Sequence, residues 1–300
     1  MSGLFFYKDY IFKDQIRPIM QAYEQSDAEQ RRQLDAVFEE LGYFGVQVLG
    51  RVLYETRDRA IRGQIVTTLT RKPEEARRWS LGILIAADHP WFVYRNALMI
   101  LRQVSADPAD AERVMPFLSY GHSRVRLEAI NAILELKPRE AENLIINCLR
   151  DMDDRVSWRA MKAMAELPEV SEGGIHDILA MIDADIKEGS GGSSGHLKHA
   201  ARLVTAIYGL PNIANPAEVE SRIIELVHPL AFKEKKWQRF LKAVPGSEEE
   251  IRLLKAVIFL LGRIGGNASE NFLQKLSRLL PDLSDPAQQV IRSISDPSSS

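Results

Sequence analysis

The chain has one cysteine, Cys148, in 300 residues, so no internal disulfide and no cysteine-based zinc site can form. Long apolar runs are missing as well. The nearest, Ala256 to Leu261, stops at Gly262-Arg263, far short of the roughly 18 residues of a spanning helix. The opening Met1-Ser2-Gly3-Leu4-Phe5-Phe6-Tyr7-Lys8-Asp9 meets charge after four apolar residues, too soon for the core of a signal peptide. Neither sign of charge dominates: 39 Lys and Arg face 41 Asp and Glu, for a net −2. A protein dedicated to coating nucleic acid would be strongly basic. Alternating β-branched runs joined by Asn-Gly turns are absent, which excludes hairpins. With one reduced cysteine and no spanning segment, the expected location is cytoplasmic.

What is present is helix. The apolar share of 45% and charged share of 27% are ordinary for a globular chain and exclude wholesale disorder. Apolar residues recur three and four apart, as in Leu98 and Leu101 and again in Ile130, Ile133 and Leu134. Pro73, Pro90, Pro108, Pro138, Pro216 and Pro286 fall where helices should begin or end.

Four segments align on an apolar β-branched anchor and the residue four later: Ile61/Ile65, Val93/Ala97, Val125/Ala129 and Val156/Ala160. The steps between anchors are 32, 32 and 31 residues, a period typical of stacked helical repeats. Asp58, His122 and Asp153 sit just ahead of three of the anchors, placed to cap the helix that follows. Further amphipathic stretches, 74–86, 109–118 and 139–150, lie between the anchors, so each unit reads as two helices. One helical pair cannot bury its apolar face alone, and neighbours must stack to close a core. Ala97, Ala129, Ala160 and Ala163 let helices approach, and Leu101, Ile133, Leu136 and Leu167 fill the layers between them.

These residues resemble the HEAT family of α-helical repeats. The shared elements are the Asp-x-x-apolar-Arg start of the second helix, Asp58-Arg59-Ala60-Ile61-Arg62, and the small residue one turn on in the other copies. Leu261-Gly262-Arg263-Ile264-Gly265 is similar to the end of such a helix, and Ser284-Asp285-Pro286 with Val290 to the start of another. The resemblance implies an all-α fold: a right-handed α-α superhelix, a HEAT-like solenoid of about six or seven helix pairs. The expected organisation is one solenoid over 1–300. It has N-terminal capping helices over 1–45, best-matching repeats over 57–167, a flexible Gly/Ser loop at 188–195 and divergent repeats over 196–296. Residues 4–24 are expected to form a capping helix with the aromatic head Phe5, Phe6, Tyr7 and Tyr10, and the short final helix a polar cap. In the family, the Asp and Arg of the start motif link adjacent repeats, which makes Asp58, Arg62 and Arg126 structural.

Residues with chemical potential are few. None of His89, His122, His176, His196, His199 and His228 is followed by Glu, so the His-Glu pairs of the HEAT-repeat iron hydroxylases are missing. His196 and His199 lie one turn apart and could share a metal, but no third ligand is evident, and the expectation is two solvent-facing histidines. Cys148 falls on an apolar face and reads as a buried small hydrophobe. No Gly-x-Ser-x-Gly elbow is present. The Gly/Ser string lacks the Gly-Lys-Ser ending of a phosphate loop. Trp79 and Trp158 are expected in the core, whereas Trp91, Phe92 and Tyr94 crowd the Val93 anchor and cannot all point inward. Two stretches are basic: 51–78, with eight cations against four anions, and 233–242, which runs Lys233-Glu234-Lys235-Lys236-Trp237-Gln238-Arg239-Phe240-Leu241-Lys242.

In a HEAT solenoid the second helices line the concave face. Three residues after each anchor come Gln64, Asn96, Glu128 and Arg159. Six after come Thr67, Met99, Asn131 and Lys162, and one before come Ala60, Phe92, Arg124 and Arg155. Phosphate would demand cation after cation. The mixture suits a protein or peptide, with solvated helix positions as the plain alternative. The expected function is therefore a non-enzymatic scaffold or adaptor that holds a partner protein on Phe92, Asn96, Met99, Arg124, Glu128, Asn131, Arg155, Arg159 and Lys162. No catalytic residue, metal or cofactor is expected. The alternative is a nucleic-acid-binding protein or DNA-repair enzyme similar to the HEAT-like alkylpurine glycosylases. It would use the two basic stretches and the cluster Trp91, Asp153, Arg155 and Trp158. A chromophore-lyase subunit is a further possibility within the family, with no residue here that points to it.

Overall fold

The computed structural model describes residues 13–86, 88–137, 139–189, 194–232 and 247–295. Among them every regular element is helical. The chain divides into two compact units, Met1–Leu144 and Ile145–Ser300.

The first unit holds α1 (Lys13–Gln25), α2 (Ala28–Glu40), α3 (Gly42–Glu55), α4 (Arg59–Thr70), α5 (Pro73–Ile85), α6 (Trp91–Val104), α7 (Ala111–Val114) and α8 (Ser123–Leu136). They form two layers. In one, α1 packs on α3, α3 on α5 and α5 on α7; in the other, α2 packs on α4, α4 on α6 and α6 on α8. The short α9 (Ala141–Ile145) runs up to the division. The second unit repeats the scheme with α10 (Asp154–Glu166), α11 (Glu172–Gly189), α12 (Ser194–Gly209), α13 (Pro216–Ala231), α14 (Glu248–Ile264), α15 (Asn267–Leu279) and α16 (Ser284–Ser295). There α11, α13 and α15 stack in one layer and α10, α12, α14 and α16 in the other. The described residues thus hold sixteen helices.

The anchors explain the layers. Ile61, Val93, Val125 and Val156, with Ile65, Ala97, Ala129 and Ala160 one turn later, are all buried. Each branched anchor contributes about 1.5–3 kcal/mol by leaving water. The helix starts carry the expected caps. Asp58 accepts from the backbone N–H of Ala60 at 2.7 Å and of Ile61 at 3.2 Å. His122 Nδ1 accepts from Arg124 N, and Asp153 from Arg155 N. Ser247 and Glu250 form a reciprocal capping box on α14, which ends at Gly265 in the left-handed region with φ 65°. Arg62 and Arg126 bond carbonyls of the loop before their own helix, Thr56 and Arg57 for the first and Tyr120 for the second. They tie each helix to its own entry loop.

Several boundaries differ from expectation. The stretch 109–118 is broken: α7 is four residues long, and a 3-10 turn, Met115–Ser119, follows it. Pro116 supplies no backbone N–H there and ends the α ladder. The stretch 139–150 likewise continues α9 as a 3-10 turn, Ile146–Arg150. The Gly/Ser segment is helical at both ends, since α11 runs through Gly189 and α12 starts at Ser194. Gly189 lies so close to Leu197 that a Cβ would come within 2.6 Å of its Cγ, which gives this glycine a packing reason. Residues 190–193, the aromatic head at 5–10 and the basic stretch 233–242 lie outside the described residues.

Candidate functional site

The three columns read from the sequence occupy one flank of the even-numbered helices. At about 100° per residue, the position three after an anchor turns to within about 60° of the anchor's direction. The positions six after and one before turn about 120° and 100° away on the same side. Burial follows that order. Asn96 is only 3% exposed. It accepts from Arg95 Nη2 at 2.7 Å and is not a surface contact. So near the anchor's direction, its side chain enters the seam between helices. Its counterpart Glu128 is half-buried, 3.7 Å from Arg102 Nε of α6 and 3.5 Å from Asn131 Nδ2. Gln64 turns inward to Asp35 of α2, at 2.7 Å. Asp35 is buried, and burial raises its pKa above the ordinary carboxylate value despite the bonds from Gln64 and Thr68. The outer columns stay open: Phe92, Met99 and Asn131 are half-buried and Arg124 is exposed.

Around Phe92 the first unit carries a continuous row of rings and guanidinium groups. Arg51 lies 4.7 Å over the Tyr54 ring, and Tyr54 meets Phe92 at 5.6 Å. Phe92 meets Trp91 edge-on, and Trp91 stacks on His122 at 3.9 Å with 2° between the planes. Arg124 lies 5.5 Å over Trp91. The row draws on α3, α6 and α8 and on the turn before α8.

In the second unit, Arg155 and Lys162 are exposed on α10, and the half-buried Arg159 pairs with Glu166 at 3.0 Å. Trp158 is 45% exposed, against the expectation of core packing. Two residues past its anchor it faces about 200° away. Asp153 is fully engaged: it caps α10 and holds Arg155 Nη2 at 2.7 Å and Nε at 3.0 Å. Its carboxylate is therefore committed to structure. Of the eight cations in 51–78, Arg51 pairs with Glu55 and Arg71 with Glu39. Arg77 pairs with Asp107 and Asp110, Arg78 covers the Tyr43 ring, and Arg62 holds loop carbonyls.

One constellation escaped the sequence. Asp185 of α11 is 4% exposed and accepts from His199 Nδ1 of α12 at 2.6 Å. The other ring nitrogen, Nε2, sits 2.7 Å from the Leu149 carbonyl and 3.4 Å from Ser157 Oγ. Serine, histidine and carboxylate lie in the order of a hydrolase triad, but Ser157 is 1% exposed and donates to that same Leu149 carbonyl at 2.7 Å. A general base needs a free lone pair on Nε2, whereas here both ring nitrogens face acceptors, which favours the imidazolium. Burial opposes that charge, and the bonds to Asp185 and Leu149 outweigh it, so the His199 pKa rises above 6.5. The cluster is a clamp across α11, α12 and the turn before α10. His196 joins it, with Nδ1 3.3 Å from Asp185 and 3.2 Å from Glu188. The expectation of two solvent-facing histidines without a nearby carboxylate is thus corrected. Asp185 was recognisable: it shares a helical stripe with Ile178, Ile182 and Ile186, where a carboxylate needs a partner. Among the described residues no three His, Cys, Asp or Glu side chains are placed to hold a metal ion. No described helix is long and apolar enough to cross a membrane.

No protein-family model matches the chain, and no curated protein does. Among solved structures, it is similar to two engineered proteins from the Northeast Structural Genomics Consortium. One is 18% identical, with 94% of this chain and 78% of that chain covered and a TM-score of 0.41. The other is 16% identical, with 94% and 96% covered and a TM-score of 0.31. A third, from a computational design of self-assembling cyclic homooligomers, is 14% identical, with 95% and 93% covered and a TM-score of 0.14. Likeness at this level carries no weight for this chain's architecture or role.

Proposed function

We propose that the chain is a non-enzymatic interaction scaffold, a right-handed HEAT-like superhelix that holds a partner protein on the open flank of its even-numbered helices. The observation that carries this reading is the flank of α6 and α8. Equivalent positions on these neighbouring helices present Phe92, Met99, Arg124 and Asn131, two apolar, one cationic and one amide group, all at least partly open to solvent. Such a mixture of ring, thioether and guanidinium is the composition of protein interfaces rather than of phosphate grooves. In the second unit, Arg155, Arg159 and Lys162 occupy the equivalent positions of α10. The nucleic-acid alternative has less in its favour, because Asp153 and five of the eight 51–78 cations are engaged in ion pairs, ring contacts or bonds to backbone carbonyls.

The test is affinity capture at low and moderate salt with a nuclease-treated parallel, followed by binding of the identified partner to Phe92→Ala and Met99→Ala. Binding that survives nuclease and weakens with both variants supports the scaffold. Binding that vanishes with nuclease, or that ignores both variants, refutes it.

A further inference from the structure

The row that starts at Arg51 and ends at Arg124 is unequal in charge. Arg62, Arg95 and Arg124 come from three successive even helices, and the guanidinium groups of Arg62 and Arg124 both act on Arg95 between them. Burial is the main cause that lowers the Arg95 pKa, and Arg124 and Arg62 add to it while Glu128 opposes. Arg95 Nε is buried without a hydrogen-bond acceptor among the described residues. With Arg51, four guanidinium groups stand against three carboxylates: Glu55, already paired with Arg51 at 2.7 Å, Asp58, which acts on Arg62, and Glu128, which also lies 3.7 Å from Arg102. An anion brought to this row gains attraction that the chain itself leaves unmet.

The rings decide which anion. A single-stranded nucleic acid needs open ring faces on which bases can stack. Here the face of Tyr54 is covered by Arg51, and Trp91 is covered by His122 and Arg124. Half-buried Phe92 adds apolar surface. Ring edges beside guanidinium groups suit carboxylates flanked by aliphatic side chains. We propose that the row Arg51–Tyr54–Phe92–Trp91–His122–Arg124 docks an acidic peptide segment, Asp- or Glu-rich with interspersed aliphatic residues, of a partner protein. This rests on the scaffold reading and specifies the chemistry of its partner.

A random-peptide display library, selected against the whole chain at low salt, tests it. The variants are Arg124→Glu and, as a charge-matched control on the other layer, Arg113→Glu, each checked for native helix content and melting. A dT20 oligonucleotide is titrated in parallel. The expected result is Asp/Glu enrichment in peptides selected by the native chain and by Arg113→Glu. Individual peptides should bind Arg124→Glu about tenfold more weakly and weaken with salt. Enrichment in neutral or basic sequences, acidic enrichment unaffected by Arg124→Glu, or dT20 binding at the row in place of peptide overturns the inference. Selected non-acidic peptides that still depend on Phe92 and Met99 would sink the acidic row while leaving the scaffold standing. Peptides that ignore both sets of variants would sink both.

Discussion

Glu220 offers the sharpest test of how the second unit is held together. It lies on the buried side of α13, 8% exposed, and reaches the start of α15. Its Oε1 accepts from Ser269 N at 2.7 Å and from Ser269 Oγ at 2.6 Å, and Ser269 has no exposure. The N-cap of α15 is Gly266, which has no side chain to offer. Its bare Cα leaves room for the carboxylate, with which a Cβ would collide. Glu220→Ala strands a buried backbone donor, a loss of about 1–3 kcal/mol. It also removes a negative charge from a helix N-terminus, worth about 0.3–1 kcal/mol more. The hydroxyl can rotate to another acceptor and adds little. The expected cost is therefore about 1–4 kcal/mol, read as a lower urea midpoint at unchanged slope. Glu220→Gln keeps one acceptor oxygen and should lose less than half as much. A Glu220→Ala protein with the native midpoint would refute this account of the α13–α15 contact.

Arg77→Ala should cost about 3 kcal/mol, because Asp110 is buried and Arg77 holds it through two bonds of 2.6 Å; an unchanged thermal midpoint would contradict that. Gly50→Ala and Gly63→Ala should differ in sign. A Cβ at Gly50 comes within 2.5 Å of the Trp79 ring, whereas at Gly63 it meets nothing within 4 Å. The first should destabilise by about 1–3 kcal/mol and the second stabilise by up to about 1 kcal/mol in denaturant titrations. His199 gives a pH dependence of known sign. Its folded pKa is above its unfolded value near 6.5, so the clamp's contribution is complete below about pH 6.5 and is lost as pH rises through the folded pKa. Urea midpoints of the native chain should fall across that window by more than those of His199→Gln; parallel curves would show that the clamp does not titrate there.

Much of the architecture was legible because it rests on spacing. The anchors Ile61, Val93, Val125 and Val156 are buried where a period of about 32 residues places them, and Asp58, His122 and Asp153 cap the helices they precede. The candidate flank was only half legible. Spacing gives an angle about the helix axis, and the position three after the anchor lies near the boundary between seam and surface; Asn96 fell inside it. What stayed hidden were contacts between elements far apart in sequence. Asp185 with His199, and Glu220 with Ser269, join different helices, and neither partner forms a local motif. Their common signal is a carboxylate on an otherwise apolar stripe. That signal says a partner must exist without saying which one. Trp158 shows the converse, since a large ring two residues past an anchor faces outward whatever its hydrophobicity.

We propose that a partner protein sits on the open flank of the even-numbered helices. The most direct measurement is photo-crosslinking in the captured complex, with a crosslinker placed at Phe92 or, on the other layer, at the exposed Ile85. The partner should be joined efficiently from position 92 and not from position 85. Crosslinking from 85 alone would contradict it.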